Sequence, residues 1–446
     1  MPNVVPRIEH LAGQIVDDGR LLLIDPLGQG SGGVVFRAVD LCSSTPYAVK
    51  CMVKAEPGSR QAAFQKREIH LHCMVSPHKN IVALHRIVEE SGYIFLVLDY
   101  CAGGDLFKYL TRRGTYVRND PLIKNVMCQL IDGVEHCHKR GVFHRDIKPE
   151  NIMCNRDGTQ LKLGDFGLAT DSEVSINFGA GTSGYMSPGK FSSSPSRLMP
   201  AHTMSAECIG LEMGVPGYRT AANDVWALGV IFTSMISGHN PWRRAVTDDS
   251  CFDAYAHDTK FLQEMLPISA AANDILVSIF APSESRISLS DLRKKIRNAD
   301  TFFLSAKEIA RASKFVQQAA ESYVAGISSC SGNSASSFGA LFDVDVANAA
   351  QRLIEVRKEE AKEEPAHYVE VVVVPGPQLE VQETGVRPEA RKRPVPPPQP
   401  MLSFRDFMRT PSSGSSHLDD REQKGRPWRS HSPTGLFKRI MDKIFD

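Results

Sequence analysis

The sequence predicts an α+β protein with a β-rich lobe first, a helical lobe second and a long tail of looser texture. Three observations carry this. Short apolar, β-branched runs bounded by Gly, Pro or polar clusters fill the chain up to Asp99. Apolar residues at helical spacing take over from Pro121. Beyond about residue 330 the chain becomes rich in Ser, Gly, Pro and charge.

In chain order, Leu21–Ile24, Val34–Val39, Tyr47–Val53, Ile81–Ile87 and Tyr93–Asp99 read as strands, with a helix over Gln61–Val75 between the third and fourth. Ile123, Val126, Met127, Leu130, Ile131 and Val134 form one helical face, and Gly141 follows as a stop. Ala221–Ser237 is apolar on almost every side, the mark of a helix buried all round. The expected boundaries are an N-terminal extension over 1–19, a folded domain over 20–300, a helical extension over 301–330, a disordered tail over 331–435 and a short amphipathic helix over 436–446.

Composition narrows the function classes. Lys and Arg number 52 against 51 Asp and Glu, so no global charge asks for nucleic acid as partner. No apolar run reaches the ~18 residues of a transmembrane segment. The opening MPNVVPRIEH has no secretory pattern. The ten cysteines include no CxxC pair, which argues against a zinc or redox motif and for free thiols in a reducing compartment, cytoplasmic and/or nuclear.

The chemistry is carried by an ordered set of motifs. Gly28-Gln29-Gly30-Ser31-Gly32-Gly33-Val34-Val35 fits GxGxxGxV between two predicted strands. Alone, it fits a structural Gly-rich hairpin equally well. Its place between strands, rather than before a helix, favours a phosphate cover over a dinucleotide fold. Tyr47-Ala48-Val49-Lys50 ends a strand with a lysine, and Glu68 lies in the following helix. Such a pair can hold an ammonium over the α- and β-phosphates, although either residue alone would read as surface charge. His144-Arg145-Asp146-Ile147-Lys148-Pro149-Glu150-Asn151 and then Asp165-Phe166-Gly167 complete the set. Phosphoryl transfer needs positioned charge rather than covalent help. Asp165 and Asn151 can bind Mg²⁺, Asp146 can accept or orient the substrate hydroxyl proton, and Lys148 can neutralise the transferring group.

On these motifs, residues 20–300 resemble the eukaryotic protein kinase family. The resemblance implies a bilobal fold with ATP between the lobes. It implies a hinge at Leu96–Cys101 with Leu98 as gatekeeper, adenine bonded by the backbone of Asp99 and Cys101, and Val35 and Ala48 packed on the ring. Lys148 with Thr182, in Gly181-Thr182-Ser183-Gly184-Tyr185, resembles the Ser/Thr pattern and implies protein substrates with Ser or Thr targets. LAGQIVDDGRLLLIDPLG, NFGAGTSGYMSP and NDVWALGVIFTSMISGHNPW, the last holding Asp224, resemble fungal Ser/Thr kinases that restrain meiosis and sexual conjugation. The alternative is the broader calcium/calmodulin- or AMP-responsive lineage.

The resemblance also frames regulation. Arg145 occupies the position of an arginine that binds an activation-loop phosphate, with Thr170, Ser172 and Ser175 as candidate acceptors. Asp171 and Glu173 offer charge without phosphate, and activity without obligatory loop phosphorylation is the favoured expectation. Glu150 matches a position that favours Arg before the target, whereas a second acidic position is Ser234 here.

The segment after Pro188 is interrupted. Met186-Ser187-Pro188 and Glu207-Cys208-Ile209-Gly210 join as MSPECIG once the 18 residues 189–206 are left out. The family resemblance implies that Glu207 pairs with Arg286. Two readings stand: a surface loop with a phosphosite at Ser194-Pro195, or retained intron sequence, since Gly189-Lys190 can be encoded with GTAAG and Leu198-Met199 with CTAATG. Disruption of this docking segment would make the chain a pseudokinase or scaffold. In the tail, Arg393–Pro400 has the PxxP spacing of an SH3-type ligand, or of a solvated spacer. The stripe Leu436, Phe437, Ile440, Met441, Ile444 and Phe445 suits protein docking.

Overall fold

The computed structural model describes residues 8–188 and 217–328, apart from Ser31, Ser91, 112–114 and Val117. The chain divides into two units, 1–363 with 437–446, and 364–436, and every described residue belongs to the first. The interruption at 189–206, Glu207, the PxxP segment and the terminal amphipathic stripe lie outside the described residues.

The N-terminal lobe is a sheet of β1 (Ile15–Val16), β2 (Leu21–Gly30), β3 (Gly33–Asp40), β4 (Pro46–Val53), β5 (Leu84–Glu90) and β6 (Tyr93–Asp99). The strand order is β1-β2-β3-β4-β6-β5, antiparallel throughout. Val34, Phe36, Ala38, Val49 and Cys51 bury one face, as strict alternation requires. The opposite face carries Val35 beside Lys50, and Ala48 beside Leu98, and looks toward the cleft.

Helix α1 (Arg60–Val75) separates β4 from β5. Ser59 caps it by accepting from the Ala62 amide, a device worth about 1 kcal/mol. Gln65, Glu68, Ile69, His72 and Val75 form its buried stripe. Gln65 accepts from the Ala55 amide and donates to the Val53 carbonyl, tying the helix to the end of β4.

Beyond the hinge lie β7 (Gly104–Asp105), α2 (Leu106–Thr111), α3 (Asp120–His138), β8 (Ile152–Cys154), β9 (Leu161–Leu163), β10 (Val174–Ser175) and β11 (Tyr218–Arg219). The helices that follow are α4 (Thr220–Ser237), α5 (Ser250–His257), α6 (Phe261–Met265), α7 (Ala270–Ile279), α8 (Leu289–Asn298), α9 (Ala306–Ile309) and α10 (Lys314–Ser328). Helix α4 is buried along most of its length and forms the centre of the C-terminal core with α3, α7 and α8. Among the described residues no helix is long and apolar enough to cross a membrane.

Two strand expectations shift. The fourth strand begins at Leu84 rather than Ile81, because Ile81 and Val82 turn away to pair with Leu163 of β9. The first extends from Leu21 to Gly30, well past Ile24, with register irregularities at Leu23/Asp25 and Pro26/Gly28 that carry it into the Gly-rich turn.

Candidate active site

Strand β4 presents Lys50 into the cleft, opposite Val35 of β3 and Leu96 of β6. Its ammonium donates to Glu68 Oε1 at 2.5 Å and to Asp165 Oδ1 at 3.0 Å. Burial alone would lower the lysine pKa, but the two carboxylates outweigh it and hold the group charged. Burial raises the Glu68 carboxyl, and the Lys50 ammonium opposes that shift.

The Gly-rich turn closes over this pair. Gly28 faces Val35, and Gly30 faces Gly33 across the hairpin. At Gly33, φ is +135° and an added Cβ would lie 2.1 Å from the Cys51 carbonyl oxygen, so only glycine fits. A Cβ on Gly32 would come within 3.1 Å of Lys50 Nζ, so the turn lies directly over the lysine.

The catalytic loop hangs from one buried carboxylate. Asp224, near the start of α4, accepts from the His144 amide at 2.9 Å and the Arg145 amide at 2.8 Å, and contacts His138 Nε2 at 2.9 Å. Holding two successive amides lets Arg145 adopt φ +65°, a strained value for a non-glycine residue. Asp146 is then fixed from both sides: Asn151 Nδ2 donates to Oδ2 at 2.9 Å, and Thr182 Oγ1 donates to Oδ1 at 2.7 Å. Lys148 Nζ lies 3.0 Å from Asp146 Oδ2 and donates to Thr182 Oγ1 at 2.7 Å. One carboxylate, one ammonium and one hydroxyl thus form a closed ring, an arrangement chemically able to accept or orient a hydroxyl proton.

Asp165 also has positive φ, +56°, and its side chain is 51% exposed toward the cleft. Its surroundings raise the carboxyl pKa, but Lys50, chiefly, brings it below the ordinary value. Asp165 and Asn151 are hard oxygen donors, as a magnesium ion prefers. Among the described residues no group of three or more His, Cys, Asp or Glu could hold a metal. A pair of protein donors fits an ion that completes its shell with phosphate oxygens and water.

Phe166, beside Asp165, is fully buried between two imidazoles: His144, which opens the catalytic-loop motif, and His72, which lies in no motif. His72 of α1 lies 4.7 Å from it and His144 lies 5.0 Å, centroid to centroid. His144 Nε2 donates to the Gly164 carbonyl at 2.9 Å, and His72 Nε2 to Val82 at 2.7 Å. The one available signal was spacing, since His72 stands one helical turn beyond Glu68.

At the hinge, Asp99 pairs with Tyr47 and Leu98 with Ala48, so the strand leads directly into Cys101. In the activation segment Thr170 and Ser175 are buried, which removes both as accessible phosphate acceptors in this conformation, while Ser172 is exposed. Arg145 Nε donates to the Leu168 carbonyl at 2.7 Å and its Nη1 to Ser175 Oγ at 3.2 Å. Ser187, just before the interruption, donates to Asn223 Oδ1 through both its amide and hydroxyl at 3.1 Å. Arg286 donates to the Ala222 and Ala281 carbonyls and stacks on Trp226 at 4.9 Å. Its expected partner Glu207 lies outside the described residues. Ser234 is buried and bonded to Val230 O and Asn240 Oδ1, while Glu150 is exposed.

Comparisons with known proteins agree with this geometry. A Schizosaccharomyces pombe protein described as a negative regulator of sexual conjugation and meiosis is 42% identical over 297 residues, covering 65% of this chain and 62% of that relative. The Schizosaccharomyces pombe serine/threonine-protein kinase ksp1 is 32% identical over 283 residues, covering 61% and 55%. The Saccharomyces cerevisiae serine/threonine-protein kinase VHS1 is 28% identical over 339 residues, covering 63% and 70%. The chain therefore spans less than two thirds of the length of the first two relatives. The family description "Protein kinase domain" matches residues 22–295, more than half of the chain, and the chain belongs to the protein kinase family, whose members use ATP and a divalent metal ion.

Proposed function

We propose that this chain is a Ser/Thr protein kinase that transfers the γ-phosphate of ATP, with Mg²⁺, to protein hydroxyls in a fungal nutrient or meiosis-type signalling pathway. The observation that carries the reading is the Asp146–Lys148–Thr182 ring. It places a carboxylate for the hydroxyl proton beside an ammonium for the developing phosphoryl charge. Lys50, held by Glu68 and Asp165, supplies the phosphate-facing cation on the other wall. Since Lys50, Asp146, Asn151 and Asp165 are all in place, nothing in the described residues favours the scaffold alternative.

Arg145 already has a carbonyl and a hydroxyl as partners, which supports activity without obligatory loop phosphorylation. A single exposed carboxylate at Glu150, with Ser234 buried and neutral, supports at most a modest basic preference. The cytoplasm and/or nucleus and an SH3-type partner at 393–400 remain part of the proposal, on composition alone.

The test is phosphate transfer from radiolabelled Mg²⁺–ATP by the purified full chain onto Ser, Thr and Tyr peptide arrays, with Asp165→Asn as control. Label on Ser and Thr, lost in the variant and absent with Ca²⁺ alone, is the expected result. Transfer that persists in Asp165→Asn, or that favours Tyr, overturns it.

A further inference from the structure

Among the described residues the chain passes from the N-terminal to the C-terminal lobe through the hinge after Asp99. The backbone of residue 99 is tied to the N-terminal lobe, since its amide donates to the Ala83 carbonyl at 3.0 Å. Its side chain faces both lobes. Oδ2 accepts from the Ala83 amide at 3.1 Å and Oδ1 contacts His85 Nε2 at 2.8 Å. Oδ2 also accepts from Lys162 Nζ at 2.6 Å, and Lys162 belongs to β9 of the other lobe.

The position of Lys162 gives this contact its consequence. It stands on β9 opposite Met153 of β8, three residues before Asp165, which follows the end of that strand. The same strand is pinned at the back of the cleft by Val82 donating to Leu163 O and Leu163 donating to Asn80 O, both at 2.9 Å. The Asp99–Lys162 contact is a second pin, at the hinge. Together they hold β9, the strand that leads into Asp165, in register with the backbone that would receive the adenine. A hydrogen bond tolerates little stretching, so tilting the lobes apart at the hinge breaks the 2.6 Å contact early.

We infer that Asp99 and Lys162 form an inter-lobe clasp at the nucleotide site: positioning residues that set how long a nucleotide stays bound. The inference rests on the kinase reading, because it assumes a nucleotide between the lobes. Both side chains are partly exposed, 22% for Asp99 and 34% for Lys162, so the pair adds little to fold stability. Its effect is kinetic. In many enzymes of this type product release or opening limits turnover, and a clasp that slows opening then lowers kcat and KM together.

The test is dissociation of a fluorescent ADP analogue from the full chain by stopped flow. Lys162→Met is expected to release it roughly twofold to fivefold faster, the factor given by loss of a partly exposed ion pair. KM for ATP and kcat should rise together, with the melting temperature unchanged. Lys162→Arg should restore slow release. Asp99→Asn combined with Lys162→Met should be no faster than the quicker single variant, since one contact is lost in each. Unchanged release in Lys162→Met overturns the clasp, as do multiplicative effects in the double variant or a lowered melting temperature with normal release. Failure of the wild-type chain to bind the analogue at all would overturn the nucleotide site itself, which separates the two readings.

Discussion

The imidazole of His72 packs against the ring of Phe166, 4.7 Å between centroids and tilted by 35°, and so couples helix α1 to the segment that carries Asp165. His72 is 2% exposed, and its Nε2 donates to Val82 O. Helix α1 also carries Glu68, so the same rotation of the helix that would release Phe166 would break the Lys50 pair.

That burial predicts acid sensitivity. Desolvation brings the His72 pKa from 6.5 down to about 4. As pH falls below 6.5 the unfolded chain takes up a proton that the native ring refuses, so stability declines until the native ring titrates near 4. Between pH 7 and 5 this group alone should cost about 2 kcal/mol. Urea unfolding at the two pH values checks it: His72→Leu should lose that part of the pH dependence, and equal slopes for variant and wild type would refute it.

Thr182 is expected to matter to the chemical step more than to nucleotide binding. Thr182→Ala removes a donor to Asp146 and an acceptor from Lys148, leaving Lys50 and Asp165 untouched. A loss of roughly 10- to 100-fold in kcat is expected, with KM for ATP within about twofold. Thr182→Ser should retain most activity. Steady-state kinetics on a peptide substrate decide the point, and a KM effect without a kcat effect would contradict it.

The bonding of Arg145 predicts how the activation segment responds to mutation. Ser172→Ala should stay within about twofold of wild type, because Ser172 has no part in holding Arg145. Ser175→Ala should lose a few-fold, because Arg145 keeps Leu168 O when the 3.2 Å contact to Ser175 goes. Mass spectrometry of active protein should find a large unphosphorylated fraction. Complete loss of activity in either variant would contradict phosphate-independent activity.

The interruption at 189–206 predicts a genetic result. If it is retained intron sequence, most mature transcripts lack codons 189–206, and the chain shortened to MSPECIG is at least as stable and active as the 446-residue form. Ser187 is already anchored on Asn223 of α4, so a direct join would start from a fixed point. Transcript sequencing, with thermal melts of both forms, checks this. Transcripts that mostly carry the codons would leave the surface-loop reading.

Local chemistry alone determined the two-lobed order of elements, the Gly-rich turn, the lysine at the end of its strand and the Asp146 and Asp165 motifs. Alternation, helical spacing and turn residues act between near neighbours, and the motif residues come in short runs. Tertiary structure decided which distant groups meet. Asp224 supports residues 144 and 145 from far along the chain, and Phe166 sits between His72 and His144. Ile81 left its expected strand because a partner in β9 was available only after folding. Lys162 reads as one more surface charge until the hinge brings Asp99 within 2.6 Å. Such contacts depend on how lobes and helices pack, and packing leaves no periodic trace in the sequence of either partner.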